Sequence, residues 1–432
     1  MIIHNHKNKF HHMIMGDLMK SKLLIFIVTA SLLASTATAG GLSSARAVGM
    51  GDAQIGLAKG VYAPLYNPAN IALSGYGQAG VELAGAGAEI FNNSFSLSDY
   101  NNYTGAILSE NDKSALLGKI PSDGLELSVR AQASALTISL GSFVISTNGV
   151  AASEVNLSKD IVELLVNGNQ LNDTISLDEM YSEALAYATI GLSTGKTLYK
   201  SGTRQLTIGA TYKYIKGLAY EDIVRIDGEA STTMAGFSGD GAVVARTATG
   251  GTGYAIDIGA ALKLSDNHTV GISFSNFLNS ITWNKDTEEH YYSFQFDTVT
   301  VDNIDNDSVF VSDDYSQEIG SFKSRIPTTM RIGIANISGK FLWAIDWEQG
   351  FKLGAGVSSK PRLSFGGQYK LISFLPLRAG YSMGGGRGST VSFGTGLDLS
   401  LFYLDIAATN HGSITSGSSK GLHLAVSTGL RF

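Results

Sequence analysis

Four histidines lie in the body of the chain: His268, His290, His411 and His423. One of them shares a strand face with a serine, His423 and Ser427 in LHLAVSTGLRF (422–432). A serine hydrolase needs a base beside its nucleophile and a third group to orient that base. Two strand steps separate His423 from Ser427, which makes a weak pair, and no Gly-x-Ser-x-Gly element accompanies it. Aspartates gather at Asp302, Asp305, Asp307, Asp313 and Asp314. Their spacing lacks the sixth-position glycine and twelfth-position glutamate of a calcium loop. Loose calcium binding by an outer loop stands as the alternative to a solvated acidic segment. GMGDAQIG (49–56) and SMGGGRGS (382–389) are glycine-dense, but neither joins a buried parallel strand to a helix, so neither reads as a phosphate loop. The chain has no cysteine, which removes thiol catalysis, disulfides and thiolate zinc sites together. The expectation is a chain that is not an enzyme and holds no metal and no cofactor.

Chemistry being scarce, the elements carry the information. Residues 19–39 read MKSKLLIFIVTASLLASTATA: a basic start at Lys20 and Lys22, an apolar core and an Ala37-Thr38-Ala39 cleavage site. That core is too short for the ~20 residues of a membrane helix. A signal peptide cleaved near Ala39 is expected, with Met19 as the true start. Residues 1–18, with His4, His6, His11 and His12, are read as an extension outside the fold. No later run is apolar enough to span a membrane as a helix. The net charge of −6 gives no case for nucleic acid.

The mature chain instead alternates. In 422–432, Leu422, Leu424, Val426, Thr428, Leu430 and Phe432 point one way, and His423, Ala425, Ser427, Gly429 and Arg431 the other. The same period-2 pattern returns in 390–399, 362–371 and 206–214. Strands of about 10 residues suit a tilted bilayer crossing, with apolar residues outward and small polar residues toward a lumen. Counting back from Phe432 gives candidate strands near 422–432, 400–410, 390–399, 374–383, 361–371, 341–350, 327–337, 267–283, 251–264, 204–222, 186–198, 142–152, 125–139 and 79–94. That is about 14, an even number, with short turns on one side and long segments on the other. The expected fold is all-β: a transmembrane antiparallel β-barrel over 79–432, with Phe432 as an assembly signal. HYYSFQFDTVTV (290–301) could add a hairpin within the long segment 284–326. A helical insertion is expected at 155–189, from KDIVELLVNGNQLN (159–172) and LDEMYSEALAYAT (177–189). It packs on the rim or forms an apolar lip at Leu164, Leu165, Tyr181 and Leu185 where a hydrophobic ligand lands.

Residues 43–73 read SSARAVGMGDAQIGLAKGVYAPLYNPANIAL. Ala45-Arg46-Ala47, Gly49-Met50-Gly51, Ala53 and Asn67-Pro68-Ala69 resemble the N-terminal signature of the FadL-like outer-membrane transporters and their relatives. Asn70 stands where that family usually has glycine, and Asp52 where a second glycine is common. The resemblance implies a hatch, residues 40–78, plugging the lumen from the periplasmic side, with Asn67-Pro68-Ala69 as a tight turn. Pro68 would remove a backbone donor, Asn67 would hydrogen-bond its own backbone, and Gly49 and Gly51 would let the plug approach the wall. Whether such a plug is fixed or gating is left open.

For function, the resemblance implies an outer-membrane protein for passive uptake of hydrophobic, fatty-acid-like compounds. The alternative is a scaffold or shuttle of a secretion or conjugation system, as in PorV-like relatives. The expected partners are outer-membrane lipid, the barrel-assembly machinery, and a hydrophobic small molecule or a secretion-system protein.

Overall fold

The computed structural model describes residues 42–432, apart from 77, 179, 301, 304, 305, 307, 308, 355 and 414. The extension, the signal segment with Ala39, the four N-terminal histidines, Asp305 and Asp307 lie outside the described residues.

In chain order the strands are β1 (Ala79–Asn92), β2 (Leu125–Leu140), β3 (Phe143–Leu157), β4 (Thr174–Ser176), β5 (Tyr181–Ser201), β6 (Arg204–Thr233), β7 (Gly236–Ala248), β8 (Gly250–Lys263), β9 (His268–Lys285), β10 (Glu288–Val299), β11 (Phe310–Glu318), β12 (Phe322–Ser324), β13 (Thr329–Ser338), β14 (Phe341–Gly350), β15 (Arg362–Ile372), β16 (Leu375–Gly384), β17 (Ser389–Leu399), β18 (Phe402–His411) and β19 (Gly421–Arg431). Fourteen of them, all but β4, β7, β10, β11 and β12, pair antiparallel around a closed ring. The ring closes where β19 meets β1, for example Ala88 opposite Leu424. The expected strand count and the alternation of short and long connections are both borne out.

Alternation explains why the ring is inside out. On β19, Leu422, Leu424 and Val426 are exposed on the outer surface, whereas His423, Ala425 and Ser427 are buried within. Phe393, Leu397 and Ile406 likewise face out from their strands. An aqueous protein would bury that face; a barrel presents it to hydrocarbon. Phe432 is 74% exposed, and its N–H donates to the Ala79 carbonyl at 3.0 Å, beside the seam of the ring.

Two segments expected as outer loops are sheet instead. Beyond Asp222, β6 leaves the ring; from Tyr220 outward it pairs with β7, which pairs with β10, which pairs with β11. The candidate hairpin at 290–301 is thus one strand of a larger outer sheet. Phe237, Phe294 and Phe310 each stack on Phe296 on one face of it, with centroids 4.9, 5.3 and 5.8 Å away respectively.

The helical insertion is corrected to its first half. Five helices are described: α1 (Ala45–Val48), α2 (Ala63–Tyr66), α3 (Leu97–Tyr103), α4 (Glu110–Leu117) and α5 (Lys159–Asn167). The expected second helix is the start of β5. Tyr181 and Leu185 are four apart, a spacing that puts two residues on one helix face and equally on one strand face. Pairing with β3 and β6 selects the strand. Helices α3 and α4 went unforeseen, although each opens with a Ser-x-x-Asp capping box, Ser96 with Asp99 and Ser109 with Asp112.

Candidate functional site

Residues 42–76 and Gln78 lie inside the ring and are mostly buried. Asn67 is extended (φ −151°) and caps a short 3-10 turn, Pro68–Ala72. Its Oδ1 accepts from the Ala69 N–H at 3.1 Å, and its Nδ2 donates to the Ala260 carbonyl on the wall at 3.0 Å. Pro68, which has no donor to satisfy, takes the first turn position. Asn70 donates from Nδ2 to the carbonyls of Ile55 (2.9 Å) and Ala58 (3.0 Å), tying two stretches of the plug together. A glycine at that position would leave both carbonyls without this donor.

Glycines on plug and wall permit the contact. A Cβ on Gly49 would fall 2.9 Å from the Gly394 Cα of β17. Gly51 sits at φ +63°, in the left-handed region that suits glycine. Opposite the turn, a Cβ on Gly209 would strike Ala69, and one on Gly259 would strike Asn67.

Polar wall residues finish the seam. Asp346 of β14 accepts from two successive plug N–H groups, Gln54 at 2.5 Å and Ile55 at 2.8 Å. Arg362 of β15 pairs with plug Asp52 at 3.0 Å. The Thr207 hydroxyl donates to the Ala69 carbonyl at 2.9 Å, and the Tyr62 hydroxyl to that of Tyr403 at 2.9 Å. A plug too short for regular structure thus has its backbone satisfied by the barrel around it.

Above the plug, toward the outer mouth, lies a cavity of about 100 Å³. Its floor is plug: Pro64, Leu65 and Tyr66. One side is apolar, with Val150, Tyr187, Ile215 and Ile326. These belong to a larger lobe that includes Leu185, Tyr220 and Trp283. Trp283 is fully buried and stacks on Tyr220 with centroids 5.2 Å apart; its indole N–H donates to Ser324 at 2.8 Å. The other side is basic. Arg130 and Arg387 both pair with Glu89, and Arg331 pairs with Glu348 at 2.5 Å, with Arg362 3.3 Å from the same carboxylate. Pairing holds the guanidinium groups in place and leaves little free charge facing the cavity.

The four residues expected to form a lip do not come together. Leu164 packs on the phenylalanines of the outer sheet, and Leu165 is 38% exposed on α5. Tyr181 and Leu185 are on β5 and face the lumen: they neighbour Asn156 and Ala152 of β3, and Leu185 joins the apolar lobe. His423 and Ser427 both face inward and are buried, yet His423 Nε2 and Ser427 Oγ have no hydrogen-bond partner, so no nucleophile–base contact exists between them. Among the described residues no three acidic or histidine groups converge on a metal position. Sequence reasoning missed Asp346, Arg362 and the Trp283 lobe as functional candidates. Asp346 is an acidic residue on a strand, and its role needs a plug segment almost 300 residues earlier.

The sequence matches the family described as "Family of unknown function (DUF5723)" over residues 68–242 and 224–407. No curated protein sequence matches it. Among solved structures the fold is similar to the toluene transporter TbuX of Ralstonia pickettii, with a TM-score of 0.53 and 11% identity over 90% of this chain and 97% of that one. It is similar to the toluene transporter TodX of P. putida, at 0.51 and 16% identity, covering 91% and 99%. A FadL homologue of Pseudomonas aeruginosa gives 0.52 and 13%, covering 92% and 99%. At such identities the likeness is one of fold, and the fold is FadL-like.

Proposed function

We propose, from the premise that this chain belongs to the DUF5723 family and carries a FadL-like barrel, that it is an outer-membrane protein for passive uptake of hydrophobic compounds. The signal segment 19–39 delivers it across the inner membrane, residues 40–78 act as its hatch and 79–432 as the wall. One observation carries this reading. The apolar lobe of Leu185, Tyr187, Ile215, Tyr220, Trp283 and Ile326 sits inside a lumen whose other walls are polar, and it opens on the cavity above the plug.

A greasy solute gains about 25 cal/mol for each Å² it removes from water. The lobe offers that gain past the polar outer leaflet. The hatch turn at Asn67, Pro68 and Ala69, with Gly49 and Gly51, keeps the lumen shut to water below it. The pairing of β2 with β3 slips between Ser134 and Ile138, and Leu136 there has φ +52°. A solute stopped by the plug leaves sideways at this break. The toluene transporters among its fold neighbours make a monoaromatic hydrocarbon the first probe to try.

The test is uptake of labelled toluene by cells expressing the full chain, against Ile215→Trp, which fills the lobe. Expression should raise uptake several-fold, and I215W should return it to background while still folding as a heat-modifiable barrel. Equal uptake by the two folded proteins removes the lobe from the path and sinks the proposal.

A second reading, the scaffold or shuttle of a secretion or conjugation system, draws on the outer sheet. Among the described residues β11 pairs only with β10, and its other edge is exposed. A partner strand could add there.

A further inference from the structure

On the outer surface, one arc of the wall breaks the apolar pattern. From the short-turn end upward, the outward residues of β6 run Ile208, Ala210, Tyr212 and Tyr214, and those of β8 run Leu262 to Ile256 and then Tyr254. The three tyrosines are exposed, as in the aromatic girdle of a barrel at the membrane interface. The next outward position on each strand is polar. Lys216 of β6 stands opposite Thr252 of β8, Thr252 opposite Thr282 of β9, and Thr282 opposite Lys323 of β12. Neighbouring strands lie about 4.8 Å apart, so this row spans about 14 Å. Arg325 is the next exposed residue after Lys323 on the same side. The residues between them fix the facing: Ile215, Ile281, Trp283 and Phe322 belong to the apolar lobe inside, so their alternates face out.

Lys216, Lys323 and Arg325 are exposed, and among the described residues none of them is in an ion pair. The next outward residues on β6 and β9, Leu218 and Asn284, bring no carboxylate. The charge is also confined to this arc. Across β16–β19, β1 and β2 the outward residues at the same end are uncharged, as at Met383, Val391, Leu422 and Ile90. A general attraction to anionic lipid would serve the whole circumference; cations on one arc mark a place for one headgroup.

We infer that this arc binds a phosphorylated glycolipid of the outer leaflet, with phosphate on Lys216 at one end and on Lys323 and Arg325 at the other. Position selects the leaflet, because the row lies beyond the girdle on the side of the long connections. Charge selects phosphate: a lysine ammonium offers three donors to its oxygens, and an arginine a planar fork. Length selects the headgroup. A single phosphate meets one end of the row. Two phosphates set apart by sugars meet both ends, and the sugar hydroxyls reach Thr252 and Thr282, which both donate and accept. Tyr214 and Tyr254, paired one step below, border the start of the acyl chains. The inference rests on the outer-membrane reading and is independent of uptake through the lobe.

Lipid A bearing two phosphates is titrated into the purified full chain in detergent, and bound lipid is counted by native mass spectrometry. One lipid per chain is expected, held about ten-fold more tightly than the form with one phosphate. Lys216→Gln and Lys323→Gln should each weaken it about ten-fold, and Arg325→Gln about two- to three-fold. Lys196→Gln, at an outward lysine near the short-turn end, should change nothing. All four side chains are exposed, and a heat-modifiable gel shift confirms each folded barrel. Equal affinity for the two lipid forms overturns the proposal, as does unchanged affinity in K216Q and K323Q or an equal loss in K196Q. Equally tight binding of phosphatidylglycerol also overturns it, in favour of unspecific attraction to anionic lipid. Ile215→Trp should bind the lipid as wild type does, so a failure here and a failure of the uptake reading are told apart.

Discussion

The lumen has two storeys built on different terms. In the lower one, plug and wall are fitted to each other. Glycines clear the backbone, Asp346 and Thr207 meet plug N–H and carbonyl groups, and Asp52 finds Arg362. In the upper one, an aromatic lobe borders a cavity, and a carboxylate with an unpartnered oxygen faces its like across the strands. Polar satisfaction marks a surface that has its partner already. Unpartnered oxygens alone do not divide the storeys, since Asp346 Oδ1, Asp52 Oδ1 and Asn70 Oδ1 lack partners at the plug seam too; below, the plug fills the lumen, and above it a cavity remains open. The difference separates what holds the barrel shut from what a solute would meet.

The comparison breaks first at Trp283. Replacement by alanine removes the largest fully buried side chain of the upper storey and should cost about 3–5 kcal/mol. Toluene uptake should fall with it at temperatures where the variant is still folded. A lowered melting temperature with full uptake would make the lobe ordinary core.

The lower storey is sharpened at Asp346. Asp346→Ala orphans two buried N–H donors, at about 1–3 kcal/mol each. Limited proteolysis should then cut the chain between residues 42 and 78 well before the wall. Asp346→Asn, which keeps an acceptor, should be milder, and equal protease resistance in wild type and D346A would show that the plug does not depend on this anchor.

The smallest effect carries the opposite sign. Glu154→Gln should raise the melting temperature slightly, because it replaces a buried carboxylate whose Oε2 has no hydrogen-bond partner with a neutral group. A drop in melting temperature would show that Glu154 already has its partner.

Much of the wall was legible because a half-buried strand writes its two faces in alternate letters. Leu422 to Phe432 separates lipid from lumen without any knowledge of the neighbours. The FadL-like fold was readable as well, from the spacing of Gly49-Met50-Gly51 and Asn67-Pro68-Ala69. Tyr181 and Leu185 show where such reading fails: a spacing of four serves helix and strand alike, and only the flanking strands decide. The outer sheet was hidden for another reason. Residues 223–250 and 284–326 sit where long loops belong, and their pairing joins segments far apart in the chain. The placing of Glu154, Glu183 and Asp222 opposite one another on β3, β5 and β6 and the Asp346 anchor share that property. Residues 154, 183 and 222, or 54 and 346, become neighbours only when the register is known.

Every contact around the ring but one joins strands that follow each other directly or across an outer excursion. The exception is β1 with β19, where Ala88 meets Leu424. That seam cannot zip until the whole circumference exists, and the plug is tethered immediately before β1. The strand that closes the circle is therefore the one that carries the stopper, so the seal of the wall and the seat of the plug meet at a single joint.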